Sequence, residues 1–212
     1  MAHVLQLWRY PVKSMAGEPL EAADVSWHGV PGDRRYALVQ PDLVHSDFPW
    51  LTIRERAELV GYRPRLLTPE RPDHSRVAIR TPGGEELGIE ELAARFGANA
   101  IKLHCGAFDT APVSLIGAGT VGELDPRRFR PNLLVDVAGD RAEDEWIGRT
   151  LRIGGLRLRV DRPDARCTII TTDPDTGERD PSILKRNPRA GVYCSVVEPG
   201  RVAVGDEVVV ED

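Results

Sequence analysis

Residues 151–160 read Leu-Arg-Ile-Gly-Gly-Leu-Arg-Leu-Arg-Val, and this stretch decides the fold class. Apolar residues alternate with arginines on both sides of the Gly154-Gly155 pair. Successive side chains of a strand point to opposite faces, so the alternation predicts two strands that each bury one face. Two glycines between such runs are typical of a two-residue hairpin turn. The stretch therefore predicts a β-hairpin with one apolar face.

Strand patterns continue in both directions from this hairpin, and helix patterns are few. Strands are predicted at residues 4–10, 34–39, 76–81 and 133–137, and a second hairpin at 202–204 and 208–210 around Gly205-Asp206. Helices are predicted at residues 89–96, closed by Gly97, and as short turns at 120–124 and 182–186. These patterns predict a mainly β (α+β) fold, a β-barrel with a few short flanking helices.

A stretch rich in proline and arginine lies between residues 39 and 76 and has weak periodicity. It predicts a soft boundary near residues 70–85, which divides the chain into a smaller N-terminal region, residues 1–75, and a second region, residues 76–212. The chain is long enough to bury a core in each.

The composition indicates a globular protein, with 41% hydrophobic and 29% charged residues and a net charge of −5. Charges of both signs are scattered, so neither a nucleic-acid partner nor a membrane partner is expected. Residues 1–13 lack the charged segment and apolar core of a signal peptide. An odd number of cysteines, three, argues against a disulfide framework and predicts a cytoplasmic location.

Several classes of site are excluded by motifs that the sequence lacks. The five histidines do not pair at helical spacing and no Cys-x-x-Cys occurs, which argues against a tetrahedral zinc site. There is no Gly-x-Gly-x-x-Gly motif and no Gly-x-x-x-x-Gly-Lys phosphate loop. Three dispersed cysteines cannot supply the four usual ligands of an iron–sulfur cluster. Electrons for any redox chemistry must therefore come from elsewhere.

The three cysteines differ in their surroundings. Cys105 follows an alternating segment and Cys194 lies in an apolar run, so both are predicted to be small, buried core residues. Cys167 follows Arg166, and a neighbouring guanidinium favours the thiolate, which binds metals. From the residues alone, a structural cysteine at the start of a strand remains the simpler interpretation of Cys167.

Anion-binding candidates occur near the N-terminus, where Lys13 and Ser14 follow the strand-ending Pro11. An ammonium, a hydroxyl and loop amides can form a phosphate cradle, and a solvated loop lysine is the alternative. Arg34 is either a forked donor for phosphate or a surface charge.

Further candidates lie in the second half of the chain. Arg130 and Asn132 stand at the entrance of the strand at 133–137, where they suit recognition of a small anion better than of nucleic acid. The segment that begins with Asp173-Pro174 and ends at Gly177 has the composition of a tight turn. A functional alternative is that Asp173 lines the same pocket as Cys167.

Seven blocks, in this order, resemble the MOSC family, which includes the C-terminal domain of molybdenum cofactor sulfurase and the amidoxime-reducing enzymes. They are Tyr-Pro-Val-Lys-Ser at 10–14, Gly-Asp-Arg-Arg-Tyr-Ala-Leu-Val at 32–39, Leu-Thr-Ile-Arg at 51–54, Phe-Arg-Pro-Asn-Leu-Leu-Val at 129–135, Glu-Asp-Glu-Trp at 143–146, Arg-Cys-Thr-Ile-Ile-Thr-Thr-Asp-Pro-Asp-Thr-Gly at 166–177 and Pro-Gly-Arg-Val-Ala-Val-Gly-Asp at 199–206. The resemblance implies that residues 1–75 form the family's N-terminal β-barrel region and residues 76–212 the MOSC domain.

The resemblance also implies a role for each candidate in binding the molybdenum cofactor, Mo-molybdopterin. Cys167 corresponds to the thiolate ligand of molybdenum, a soft donor that suits this metal. Asp173 corresponds to a catalytic acid near the metal face. The implied contacts to the pterin and its phosphate are Lys13, Ser14, Arg34, Arg130, Asn132, Arg166 and Tyr193.

The implied activity is that of a small cytoplasmic oxidoreductase that reduces N-hydroxylated or N-oxide small molecules. A separate flavin or iron–sulfur protein would donate the electrons. Two alternatives remain open. In one, the chain carries sulfur as a persulfide on Cys167 or stores and delivers the cofactor. In the other, it is a β-domain that has kept the fold and lost the chemistry.

Overall fold

Strands make up most of the regular structure in the computed structural model, which describes residues 1–108 and 110–211. The strands are β1 (Ala2–Arg9), β2 (Glu18–Leu20), β3 (Ala22–Val25), β4 (Tyr36–Val39), β5 (Arg63–Leu66), β6 (Val77–Arg80), β7 (Glu86–Gly88), β8 (Asn99–Lys102), β9 (Val113–Gly117), β10 (Leu133–Val135), β11 (Thr150–Ile153), β12 (Leu156–Ala165), β13 (Arg189–Glu198), β14 (Gly200–Ala203) and β15 (Glu207–Glu211). The α-helices are α1 (Ile89–Arg95), α2 (Ala118–Val121) and α3 (Pro181–Arg186), and 3-10 helices lie at Pro41–Leu43, Ala57–Gly61, Pro126–Arg128, Ala142–Trp146 and Thr168–Thr171. The predicted mainly β fold class is confirmed.

Seven strands form a closed barrel in the order β10-β9-β13-β12-β11-β15-β1. Antiparallel pairing of β1 with β10, in a register that sets Val4 opposite Val135, closes it. Strand β9 runs parallel to β10, and β2 pairs antiparallel with residues 7–9 of β1. The predicted barrel is confirmed, and its first strand comes from the N-terminal end of the chain.

The hairpin at residues 151–160 forms one wall of this barrel, as β11 and the first half of β12. Its alternating apolar residues are at most 1% exposed: Leu151, Ile153, Leu156, Leu158 and Val160. Burying each such side chain contributes roughly 1.5–3 kcal/mol. Gly154 has φ +58°, and a Cβ there would lie 2.8 Å from the carbonyl oxygen of Arg201, so the turn requires glycine. The predicted hairpin is confirmed.

Strand β12 runs five residues beyond the predicted end of the hairpin, to Ala165. Irregular pairing with β13 bends this extension, which carries Asp164. The longer strand therefore delivers Asp164, Arg166 and Cys167 to one end of the barrel.

A second core lies beside the barrel, between β4, the sheet β5-β6-β7 and α1. Helix α1 ends as predicted, because Gly97 takes the left-handed φ of +63° and Ala98 donates a hydrogen bond to the carbonyl of Ala93 at 2.9 Å. Antiparallel pairing of β5 with β6 spans residues 63–80. The division of the chain between residues 75 and 76 stays a prediction.

The predicted C-terminal hairpin is wrong in its pairing, although both of its strands form. Strand β14 pairs with β3, and β15 lies between β11 and β1. The Gly205 N–H donates to the carbonyl of Val4 at 2.8 Å, so the turn leads the chain onto β1 and buries Val208 in the barrel. Local alternation predicts a strand but cannot identify its partner.

The remaining predicted strands and helices occur, with ends shifted by a few residues. The predicted strand at 34–39 begins only at Tyr36, because Arg34 has a left-handed φ of +49°.

Cys194 is buried in β13, as predicted. The prediction that Cys105 belongs to the core is wrong: its side chain is exposed, because β8 is an edge strand whose following segment runs over the surface. Across residues 1–108 and 110–211, no helix has the length and apolarity needed to cross a membrane.

Candidate functional site

A cavity of about 290 Å³ lies at the end of β12, between the barrel and the N-terminal region. Eight of the nine predicted site residues line it: Lys13, Ser14, Arg34, Arg130, Asn132, Arg166, Cys167 and Tyr193. The exception is Asp173. Folding thus brings together residues that are up to 180 positions apart in the sequence (13 to 193), and their individual roles stay predictions.

Positive charge dominates the described lining of this cavity. Six cationic side chains contribute to it: Lys13, Arg34, Arg54, Arg128, Arg130 and Arg166. Asp164 is the acid among the lining residues that the structure describes. Such a concentration of cations in a chain with a net charge of −5 indicates an anionic ligand.

Backbone strain is concentrated at the same place. Four described residues other than glycine have a positive φ, and three of them line the cavity: Ser14 (+66°), Arg34 (+49°) and Arg130 (+53°). A left-handed conformation costs such residues of order 1–3 kcal/mol, and it persists where the surroundings enforce it. These conformations make the short segments around the three residues poor sites for sequence-based prediction.

Lys13 is 7% exposed, so the interpretation as a solvated loop lysine is wrong. Its ammonium donates to the carbonyl of Ala107 at 2.8 Å and lies 5.6 Å from the ring centroid of Phe48. The ring also contacts the Arg54 guanidinium, whose Cζ is 4.3 Å from the centroid. Phe48 therefore contacts two of the cavity's cations.

A fully buried acid, Asp33, fixes the floor of the cavity. One carboxylate oxygen accepts from the N–H of Tyr10 at 2.6 Å, and the other accepts from Arg34 and, at 3.2 Å, from the Asn132 amide. The Asn132 carbonyl oxygen accepts from the N–H of Ser114 at 3.1 Å. Asn132 is 1% exposed, so its amide holds strands together as well as bordering the cavity.

Arg166 is a buried guanidinium, with a side chain that is 7% exposed. Its Nε donates to the carbonyl of Ala190 at 2.6 Å and its Nη1 to that of Phe129 at 2.7 Å, and the same Nη1 pairs with Asp164 at 2.9 Å. Within the described part of the chain, its Nη2 has no hydrogen-bond partner. A Cβ on Gly191 would lie 3.0 Å from this nitrogen. A buried donor left in this way costs about 1–3 kcal/mol, which a bound acceptor would recover.

Cys167 follows the end of β12 and directly precedes the 3-10 helix Thr168–Thr171, with an exposed thiol on the cavity wall. Its carbonyl accepts from the N–H of Ile170 at 3.3 Å, which begins that helix. The interpretation of Cys167 as a structural cysteine at a strand start is therefore wrong. The thiol is placed where a ligand in the cavity can reach it.

Tyr193 lies on β13 at the side of the cavity nearest to Asp164. Burial, together with the charge of Asp164 and a hydrogen bond to it, raises the pKa of the Tyr193 phenol well above its ordinary value. Tyr193 therefore keeps its proton at physiological pH and acts as a hydrogen-bond donor.

Asp173 belongs to the tight turn that the sequence predicts, and this turn is confirmed. Its Oδ1 accepts from the N–H groups of Thr176 at 2.9 Å and Asp175 at 3.0 Å, and its Oδ2 accepts from Arg128 Nη2 at 2.6 Å. The bond from Thr176, above all, holds the pKa of Asp173 below its usual range. Asp173 thus contacts the cavity through Arg128, which lines it.

Sequence reasoning assigned no role to several lining residues. Arg54 belongs to the block at 51–54, and Arg128 directly precedes the block at 129–135, so a signal for both existed. Phe48 and Asp164 carried no such signal, because only the tertiary contacts with Arg54 and with Arg166 bring them to the site.

Two protein-family models match the chain and together span most of it. The model of the MOSC N-terminal beta barrel domain matches residues 1–112, and that of the MOSC domain matches residues 89–209. The chain belongs to the MOSC family. The two matches overlap at residues 89–112, where α1 and β8 connect the two cores.

Curated proteins and a solved structure resemble this MOSC chain over different lengths. Mitochondrial amidoxime-reducing component 1 of Homo sapiens is 30% identical, over 97% of this chain and 82% of that protein. The molybdenum cofactor sulfurase of Drosophila erecta is 32% identical, over 40% of this chain and 12% of that protein. The YUAD protein of Bacillus subtilis has a TM-score of 0.50 at 16% identity, over 98% of this chain and 94% of that one. This last likeness supports the fold alone.

Proposed function

We propose that this MOSC chain binds the molybdenum cofactor in the basic cavity and reduces N-hydroxylated or N-oxide small molecules. The observation that carries the proposal is one wall on which an exposed Cys167 thiol directly follows the buried Arg166 guanidinium, whose Nη2 faces no described acceptor. The names of the relatives, an amidoxime-reducing component and a molybdenum cofactor sulfurase, support the same chemistry.

The residues present fit the cofactor. A thiolate is a soft ligand that suits molybdenum, and Cys167 would supply it. A phosphate group needs cationic donors, and Lys13, Arg34 and Arg130 line the cavity together with Arg166. When bound, the cofactor supplies the two-electron chemistry that removes an oxygen atom, while the chain holds and orients it.

The reaction needs protons and a reductant. Conversion of N–OH to N–H with release of water consumes two electrons and two protons. We assign the two protons to solvent water and give the Tyr193 phenol, which lies on the cavity wall beside Asp164, the role of a hydrogen-bond donor. We assign the electrons to a separate flavin or iron–sulfur protein, because the sequence has no motif for a centre of its own.

Metal and pterin analysis tests cofactor binding directly. The protein is purified from a host that makes the cofactor, molybdenum is measured, and the oxidised pterin is read by fluorescence. We expect near-stoichiometric metal and pterin in the wild type and loss of molybdenum in Cys167→Ala. Cys105→Ala is the matched control, because Cys105 is also exposed but does not line the cavity. A wild-type protein with neither metal nor pterin would contradict the proposal.

Reductase activity is tested with an aromatic amidoxime as substrate and reduced methyl viologen as electron donor. Turnover by the wild type and by Cys105→Ala, with none by Cys167→Ala, is the expected result. Metal-loaded wild type that fails to reduce amidoximes, hydroxylamines and N-oxides would refute the assigned reaction while leaving cofactor binding intact.

The exposed thiol also favours a second candidate function, in which Cys167 carries sulfur as a persulfide. This function predicts cyanide-releasable sulfur on the wild type and on Cys105→Ala but not on Cys167→Ala, together with no turnover of N-hydroxylated substrates. Turnover without sulfane sulfur would eliminate it.

A further inference from the structure

Tyr10 is a buried aromatic residue directly behind the cavity, and it immediately follows β1. Tyr10 is 2% exposed, and it is not among the residues that line the cavity. Two cavity-lining guanidinium groups contact the ring: the Cζ of Arg34 is 4.7 Å and that of Arg130 4.4 Å from its centroid. One ring therefore contacts two of the six cations that face the proposed ligand.

Contacts on several sides hold the ring in place. The Tyr10 hydroxyl donates to the carbonyl of Pro131 at 3.1 Å, and its backbone N–H donates to Asp33 at 2.6 Å. A Cβ on Gly17 would lie 2.5 Å from the ring carbon Cε1, so the chain has glycine where any side chain would displace the ring. These contacts leave the ring little freedom to move.

Hydrogen bonds and the face of this ring together hold both arginines. Arg34 Nη2 donates to the carbonyl of Arg130 at 3.1 Å, and Arg130 Nη1 donates to that of Met15 at 2.6 Å. Both residues have a left-handed backbone, with φ of +49° and +53°. The hydrogen bonds fix one edge of each guanidinium, while the electron-rich ring face attracts the cationic planes.

We propose that Tyr10 is a positioning residue, which holds the Arg34 and Arg130 guanidinium groups as a preorganised clamp for a phosphate group. The proposal rests on the proposed function in taking that phosphate to belong to the cofactor. Preorganisation strengthens binding because the ligand need not restrict two long side chains when it arrives. Tyr10 itself does not line the cavity, so its role is exerted through the two arginines.

Three substitutions separate this role from a purely structural one. Tyr10→Leu removes the ring face, and Tyr10→Phe keeps the face while removing the hydroxyl. Tyr36→Leu is the matched control: Tyr36 is 7% exposed, donates to the carbonyl of Ser75 at 2.9 Å and has the Lys102 ammonium 5.4 Å from its ring centroid, yet it does not line the cavity.

Inorganic phosphate is the probe, titrated calorimetrically into the full chain purified from a host that lacks cofactor synthesis. Without the ring, the phosphate must itself hold the two guanidinium groups in place. If this costs as much as one desolvated cation–π contact, phosphate binding weakens roughly tenfold. We therefore expect about tenfold weaker phosphate binding by Tyr10→Leu, and binding within about twofold of wild type by Tyr10→Phe and Tyr36→Leu. In the cofactor-competent host, Tyr10→Leu should lose pterin during gel filtration while the other two variants retain it.

The outcomes are distinguishable from failure of the proposed function. A folded Tyr10→Leu variant that binds phosphate like the wild type, an equal loss in Tyr36→Leu, or a wild type that binds no phosphate would each overturn the positioning role. Absence of molybdenum and pterin from the wild type refutes the proposed function without affecting the phosphate titration. If Tyr10→Leu does not fold, Gly17→Ala replaces it, because the added Cβ displaces the ring and the same loss is expected.

Discussion

The contact between Asp173 and Arg128 links the turn that begins at Asp173 to an arginine that lines the cavity. Its contribution to the free energy of unfolding can be measured. The change is Asp173→Asn. An asparagine keeps an oxygen that can accept from the N–H groups of Asp175 and Thr176, so the turn is retained. What is lost is the charge-assisted bond from Arg128 Nη2, which is 2.6 Å long.

The exposure of the two side chains sets the expected magnitude. They are 13% exposed for Arg128 and 30% for Asp173, so the pair is only partly screened by water. Charge-assisted hydrogen bonds contribute about 1.5–3 kcal/mol when buried, and exposed ion pairs about 0.2–1 kcal/mol. We expect Asp173→Asn to lower the free energy of unfolding by about 1–1.5 kcal/mol at pH 7.

The pH dependence follows from the lowered pKa of Asp173, caused first by the Thr176 N–H and assisted by Arg128. A carboxyl whose pKa is depressed by folding stabilises the protein above its unfolded pKa, about 3.9, and this stabilisation disappears as the pH falls through the folded pKa. The difference between wild type and Asp173→Asn should therefore be complete at pH 7 and shrink below about pH 4.

Urea unfolding at pH 7, 5 and 3.5 measures this difference. Asp175→Asn is the control from the same turn, because Asp175 pairs with Arg127 but is 55% exposed, and its substitution should cost only about 0.5 kcal/mol. A loss that is equal at pH 7 and 3.5, or no loss at all, would refute the reasoning. If Asp173 were the catalytic acid that the family resemblance implies, its substitution would abolish turnover in a protein that keeps molybdenum and pterin.

Two further predictions concern backbone strain and thiol exposure. Gly191→Ala should destabilise the protein by several kcal/mol, because Gly191 has a φ of +83° and the new Cβ would lie 2.6 Å from the carbonyl oxygen of Leu115. Gly97→Ala is the control: Gly97 has a φ of +63° and nothing lies within 4 Å of the added Cβ, so the change should cost only about 1 kcal/mol in the same urea assay. Two of the three thiols should react rapidly with Ellman's reagent in the native protein and the third, Cys194, only after unfolding; three fast thiols would contradict the packing of β13.

The sequence by itself determined the local structure wherever side-chain periodicity and burial agree. The hairpin at 151–160, the C-cap at Gly97 and the turn that begins at Asp173 were all readable, because each depends on neighbours within a few residues. The collinear family blocks also identified eight residues that the folded chain gathers around one cavity.

Only the tertiary structure decided which strands pair and which side chains meet. Strand β14 pairs with β3 rather than with the neighbouring β15, because burial of Val208 in the barrel outweighs the local turn pattern. Cys105 and Cys194 are both predicted from the sequence to be buried, yet of these two only Cys194 is, because β13 packs it inside the barrel while the segment after β8 runs over the surface.

The position of Asp173 behind Arg128, and of the Tyr10 ring against two guanidinium groups, depends on contacts between residues 24 to 120 positions apart. Such contacts form because closing the barrel brings β1, β10 and the end of β12 together, and no local pattern encodes a distance between side chains that only the closed sheet makes neighbours.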